Sequence, residues 1–358
     1  MERNLCFNKG SDKMLKVYTI EQNDEWDKVV MSFTDYDTYW LSGYVKAFEI
    51  HGDGTPMLLF YEDTTVRGVN VVMKRDISES QQLSGMIPNG KYYDFATPYG
   101  YGGWLIEGER TEKLFDEYEK WCKNHNIISE FVRFHPMIKN HIKCLNHYDV
   151  VKLGNTVFLD LSSDDVIWSN ITSKNRNVIR KAKKNNVKIY NGRFPEIFET
   201  FRLIYNETMN KDNASDYYYF KKEFYDSICE DLPNNAQIFY AMYENKVIAA
   251  SIMLCANGYM NYHLSGSVKE FSRMAASNLM IYNAALWGRA NGYRTLYLGG
   301  GVGSGEDSLF KFKKSFNRTE NYPQFHIGKK IFDYNVYEKL VKMRTINENE
   351  TFFPLYRA

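Results

Sequence analysis

Tyr262-His263-Leu264-Ser265-Gly266-Ser267 reads as a strand that ends in a polar tip. About 30 residues on come Leu298-Gly299-Gly300-Gly301 and then Leu309-Phe310-Lys311-Phe312-Lys313-Lys314-Ser315-Phe316. A helical stretch over about 273–291 and a strand over Thr295–Leu298 link the two. Strand, helix and strand in that order predict a parallel pair. The second strand empties into glycines, which builds a site at the carboxyl edge of the sheet. Before Tyr262, the spans Ala236–Tyr243 and Val247–Ala256 read as antiparallel strands. Their turns are Glu244-Asn245-Lys246 and the tight-turn pair Asn257-Gly258. Antiparallel strands that close in one parallel pair give an α+β order with mixed sheets.

Further outward, Thr156–Leu161 predicts a strand, and Ser162-Ser163-Asp164-Asp165 supplies N-cap chemistry for one helix carrying Trp168, Ile171, Val178 and Ile179. Amphipathic helices follow, one through Ile197, Phe198, Phe201, Ile204, Tyr205 and Met209, the next over about 217–230. In the first half, Met57–Tyr61 and Val66–Met73 form a hairpin pattern around Asp63-Thr64-Thr65. A tyrosine- and glycine-rich loop, Asp94–Gly103, leads to a helix over about 111–126 and a strand at Glu130–Phe134. Both halves share this plan of hairpin, polar loop, helix and strand, as a duplicated domain would. The expected division is a poorly ordered stretch over 1–13, a first domain over 14–153 and a second over 154–358.

The composition narrows the function. With 358 residues, 44% hydrophobic and 25% charged, the chain is of soluble globular type and long enough for two cores. A net charge of +1 excludes a global basic field for DNA. Cys6, Cys122, Cys144, Cys229 and Cys255 lie far apart without a CxxC pair, so neither a disulfide framework nor a metal site is expected. No secretory h-region and no apolar run of membrane-spanning length is visible, and a cytoplasmic location is expected.

Several residue sets carry candidate chemistry. Gly299, Gly300 and Gly301 after a strand allow a ligand to approach the backbone; no Gly-Lys-Ser/Thr follows, so this is not a P-loop, and no acidic residue completes a dinucleotide fingerprint. Arg176 and Arg180, four apart on one helix face, suit phosphate oxygens, the alternative being a solvated face. His263 and Ser265 are expected to share a strand face, with Tyr262 as a hydrogen-bond donor; nothing completes a hydrolase triad.

As a set these segments resemble the FemABX peptidyltransferases, whose domains have the GNAT acyltransferase fold. The resemblance rests on Trp168 with Ser173-Lys174-Asn175-Arg176-Asn177-Val178-Ile179-Arg180-Lys181-Ala182, on Tyr205-Asn206-Glu207-Thr208-Met209, on Val247–Ser251, and on the stretches quoted at the outset. Tyr44-Val45-Lys46-Ala47-Phe48 and Thr97-Pro98-Tyr99-Gly100-Tyr101-Gly102-Gly103 match in the first half. The likeness covers roughly 40–345, and no heptad run marks the coiled-coil arm that some members insert.

What the resemblance implies is two tandem GNAT-like domains with a groove between them. The implied reaction moves an amino acid from aminoacyl-tRNA to an amine of a UDP- or lipid-linked muropeptide, as in cell-wall cross-bridge formation. No cofactor or metal is then needed. Lys313 becomes the candidate at the reaction centre, with Arg176, Arg180, Tyr262, His263 and Gly299–Gly301 binding substrate. Lys46, Asp94, Tyr99 and Tyr101 become candidates on the acceptor side. An acyl-CoA-dependent N-acyltransferase is the alternative; the turn that would cradle its pyrophosphate reads Glu270-Phe271-Ser272-Arg273-Met274-Ala275-Ala276-Ser277-Asn278, without a glycine. A non-catalytic RNA- or glycan-binding module is a third reading, and contact with the membrane periphery is left open.

Overall fold

A computed structural model describes residues 15–345 and 350–358; the expectation for 1–13 lies outside the described residues. The strands of the first half are β1 (Lys16–Tyr18), β2 (Thr55–Glu62), β3 (Val66–Asp76), β4 (Tyr93–Ala96), β5 (Leu105–Gly108), β6 (Ile127–Arg133) and β7 (Asp149–Asn155). Its helices are α1 (Asn23–Met31), α2 (Ser42–His51) and α3 (Glu112–Asn124). The second half carries β8 (Val157–Asp160), α4 (Asp164–Asn170), α5 (Ser173–Lys184), β9 (Lys188–Gly192), α6 (Pro195–Lys211) and α7 (Lys222–Asp231). It continues through β10 (Ala236–Tyr243), β11 (Lys246–Ala256), β12 (Tyr259–Ser267), α8 (Ala276–Ala290), β13 (Thr295–Gly299) and α9 (Ser308–Lys314). Strand β14 (Gln324–Ile331) and α10 (Tyr334–Lys342) come last.

The two halves repeat one plan. In the second sheet, ordered β8-β13-β12-β11-β10-β9, the strands β10, β11 and β12 are antiparallel and β13 joins β12 in parallel across α8. In the first, β2, β3 and β4 are antiparallel and β6 joins β4 in parallel across α3. This is the α+β architecture of mixed sheets that the strand order predicts.

Two departures have local causes. The single basic helix expected after Ser163 is broken at Ile171, whose ψ of 134° is extended. Thr172 then caps α5 by accepting from the Asn175 N–H, which favours a new start over continuation. The second departure concerns the last residues. β14 does not extend the second sheet; it lies between β6 and β7 in the first, antiparallel to both. The first sheet is thus completed by a strand more than 150 residues downstream, and the expected boundary at 153 falls inside β7.

The halves share one core. Trp26, Trp40, Tyr44 and Phe48 of the first pack in the same apolar cluster as Phe198, Phe201, Phe224 and Ile252 of the second. Helix α2 meets α7 so closely that a Cβ on Gly43 would stand 2.3 Å from the Asp231 carbonyl oxygen. At the same contact Lys46 Nζ is 2.8 Å from Asp231 Oδ1.

Candidate active site between the two halves

The site arises where β12 and β13 part. They pair only over Tyr259–Asn261 and Thr295–Tyr297; beyond that each runs on without the other. On the far side of β12 the register with β11 jumps, Leu264 facing Ile252 but Tyr262 facing Met253. His263 is the extra residue of that bulge, and bulges re-aim side chains. The ring turns toward the first half, 5.6 Å from Tyr44, 5.7 Å from Tyr99 and 6.1 Å from Tyr39 between centroids. The bulge also ends the expected pairing of faces: Ser265 lies beside the Tyr262 hydroxyl instead of sharing a face with His263. His263 keeps partial exposure as a residue, yet its Nε2 is covered and has no hydrogen-bond partner among the described residues. Burial pushes its imidazole down to about 3, so the ring is neutral at physiological pH.

Opposite His263, β13 ends at Gly299 in the left-handed region, φ +79°. Only glycine holds that conformation without strain. A Cβ there would stand 3.4 Å from Lys313 Nζ, 3.9 Å from Tyr297 Cε1 and 4.0 Å from Tyr101 Oη, so these groups ring the Gly299 α-carbon. The Tyr101 and Tyr297 hydroxyls share a hydrogen bond of 2.8 Å across the halves. Lys313 and Phe310, three apart on α9, face inward together. Lys313 Nζ donates to the Gly300 carbonyl at 2.6 Å. The lysine is only 9% exposed. Burial pushes its ammonium down to about 8, against the opposing pull of Asp307. It therefore carries an amine that exchanges its proton near neutral pH, a property of acid–base and charge-stabilising groups.

A second buried cluster locks the halves beside this site. Asp37, His135 and Asn261 are all within 1% of full burial. Asn261 Nδ2 donates to Asp37 Oδ1 and Oδ2 at 3.0 and 2.9 Å. The Ile138 N–H donates to His135 Nδ1, so the ring proton sits on Nε2, which faces Asp37 Oδ2 at 3.0 Å. Tyr39 and Tyr101 both pack on His135, at 5.9 and 5.4 Å. Arg133 holds the tyrosine loop by donating to the Gly100 carbonyl.

Of the residues singled out in the sequence, the fold brings together Lys313, Gly299, Gly300, Tyr99, Tyr101 and His263. Gly301 lies in the adjoining turn, where a Cβ would stand 2.3 Å from Asp307 Oδ1. The others lie apart. Lys46 is taken up by Asp231 in the α2–α7 contact. Asp94 is fully buried, accepting from Arg75, Tyr356 and Arg357, which makes it a structural anchor for the chain's last residues. Tyr262 packs into the core behind the second sheet. Arg176 and Arg180 lie with their guanidinium groups 6.0 and 5.1 Å from the Trp168 ring, on a face whose hydrogen bonds do not reach the Lys313 cluster. Tyr39, Asp37, His135 and Asn261 escaped the sequence reading, because their partners in the other half are remote in the chain, and Tyr44 entered it only as part of the matching stretch Tyr44–Phe48. Tyr297 had a signal: it stands two residues before Gly299 in the strand that empties into the glycines.

Residues 173–314 match the acetyltransferase (GNAT) domain family. No match to a curated protein was found. Among solved structures, the chain is similar to FemX, at 14% identity and a TM-score of 0.64, over 90% of this chain and 99% of FemX. It also resembles a conserved protein of unknown function from Bacteroides thetaiotaomicron, at 11% identity and a TM-score of 0.57, over 89% of this chain and all of that one (100%). A third is a domain provisionally named as the C-terminal part of a lysylphosphatidylglycerol synthetase from Agrobacterium fabrum, at 12% identity, a TM-score of 0.55 and coverages of 88% and 92%. Residues 173–314 thus match the GNAT domain family, and the chain as a whole has the fold of FemX.

Proposed function

We propose that the protein is an aminoacyltransferase that moves an amino acid from aminoacyl-tRNA to an amine of a peptidoglycan precursor in the cytoplasm. The observation that carries this is Lys313, a buried amine poised near pH 8 beside Gly299–Gly300 and the Tyr101–Tyr297 pair. In the reaction, the acceptor nitrogen attacks the ester carbonyl carbon and forms the amide bond. The ester C–O bond breaks, and the proton lost by the nitrogen ends on the departing ribose oxygen. Lys313 as ammonium stabilises the oxyanion of the tetrahedral intermediate, and the linked tyrosine hydroxyls offer a path for the proton. His263, neutral and unpartnered among the described residues, offers a hydrogen bond to the acyl group or the acceptor.

Donor choice is supported by the turn before α8. It is a tight turn at Lys269–Met274 closed by Ala275 in the left-handed region, without the glycines that let a pyrophosphate approach the backbone. The second reading, acyl transfer from acyl-CoA to a sugar amine or small metabolite, draws on the match to an acetyltransferase domain. Purified protein offered charged tRNA and acetyl-CoA in parallel, with a muropeptide amine as acceptor, separates the two. Product is expected from charged tRNA alone; product from acetyl-CoA alone would replace the first reading with the second.

A further inference from the structure

A cavity of about 470 Å³ opens on the flank of the seam, lined by the loop after His135 and by the segment that carries the chain from α9 into β14. Its basic groups are Lys139, His141 and His326, its amides Asn321 and Gln324, and Phe158 contributes part of an otherwise neutral wall. Among the described residues, no acidic one lines it. The imidazoles of His141 and His326 stack face to face, 3.9 Å between centroids and 15° apart in plane. Lys139 makes no ion pair among the described residues. Lys152, opposite His326 in the β7–β14 register, adds a further positive charge.

We infer that this cavity is an oxyanion-binding site for a small molecule with a sulfate-, phosphate- or carboxylate-type group on a flat apolar body. Basic groups that converge without an acidic one among the described residues favour an anion. Their mutual repulsion is visible in the histidines. Burial, then His326 and Lys139, push His141 down to about 4, and burial with Lys152 lowers His326. The charged groups that face the pair are thus all basic: Lys139 on the His141 side and Lys152 on the His326 side. His326 Nδ1 lies 3.2 Å from the Gln324 carbonyl oxygen, which as its acceptor places the neutral ring's proton on Nδ1 and leaves Nε2 to take up the proton that an oxyanion would bind. Phe158 and the neutral wall suit the planar body. None of these residues belongs to the Lys313 cluster, so the site stands independently of the proposed acyl transfer.

The expected linkage has a definite sign. An anion favours the imidazolium form, and if one proton is taken up with each anion the dissociation constant rises about tenfold per pH unit as pH increases. Sulfate, whose charge is constant over this range, is the probe. Titration of the full chain, followed by the histidine Cε1–H resonances, should shift His141 and His326 saturably. The dissociation constant should rise from pH 6 to pH 7, by at most about tenfold for one proton taken up, and Lys139→Ala should weaken binding about tenfold. Benzenesulfonate and benzoate, run side by side, distinguish a tetrahedral from a carboxylate ligand, and tighter binding of either than of sulfate supports the apolar wall. The inference is overturned if sulfate moves neither imidazole, or if the double variant His141→Gln/His326→Gln binds sulfate in calorimetry as tightly as the unaltered protein.

Discussion

Lys313 sets function against stability. Its folded value of about 8 lies below the 10.5 of a free lysine, so between those two pH values the unfolded chain binds more protons than the folded one. Stability from this group therefore rises as pH climbs from 8 to 10.5, and at pH 7 the buried ammonium costs on the order of 3 kcal/mol. Lys313→Met removes the charge while keeping the length of the side chain. At pH 7 the variant should be more stable by about 1–3 kcal/mol in urea unfolding, with the gain shrinking toward pH 10. Its transfer rate should fall by about 100-fold. An unfolding midpoint at pH 7 equal to or below that of the unaltered protein would remove the buried-charge argument. The resemblance to the FemABX peptidyltransferases pointed to Lys313, in the Phe-Lys pair before Ser315-Phe316, whereas its burial comes from α9 folding back under Gly300, which no local pattern encodes. Asp94 shows the converse: a carboxylate beside a tyrosine-rich loop reads as a ligand, and only the return of Tyr356 and Arg357 explains it.

At the scale of elements, the alternating strands and the parallel pair were legible because hydrophobic period and turn chemistry agree there. The hairpin around Asp63 shows it: the carboxylate accepts from the Thr65 and Val66 N–H groups, and those bonds hold it below the usual carboxylate range. The β12 bulge was not legible, since one extra residue leaves the composition of a strand unchanged, yet it aims His263 at the first half. The contact of α2 with α7 depends on Gly43 for its closeness. Gly43→Ala places a methyl 2.3 Å from the Asp231 carbonyl oxygen, and backbone on both sides limits relief. The variant should lose about 1–3 kcal/mol by overpacking. Because Lys46–Asp231 spans the same contact, the damage should appear as faster hydrogen exchange in both α2 and α7. Protection unchanged in α7 would mean that this contact does not couple the halves.

For the whole molecule, the duplicated plan tempts one to cut the chain near residue 153, but the strand order of the first sheet opposes that cut. The first half alone would lack β14, leaving β6 with an open edge and β7 without a partner, since among the described residues β7 pairs only with β14. It would also lose the Arg357 and Tyr356 donors that satisfy the buried Asp94 carboxylate, and the partner side chains of a core that both halves build. Each loss uncovers apolar surface or strips a buried polar group of donors, and Asp94, left with Arg75 alone, would be a buried carboxylate only partly satisfied. The sequence could not announce this, because a strand supplied from more than 150 residues away leaves no local trace in either segment. Residues 1–153 expressed alone should therefore give a collapsed amide spectrum without a cooperative melt. The intact chain should melt in one transition, because separating the halves opens their common core. Co-expression of 1–153 with 154–358 should recover dispersed spectra, with β14 crossing from one fragment into the sheet of the other. A well-dispersed spectrum and a sharp melt for 1–153 by itself would show instead that the first half closes its own sheet, and the seam would then be a docking surface between two finished domains.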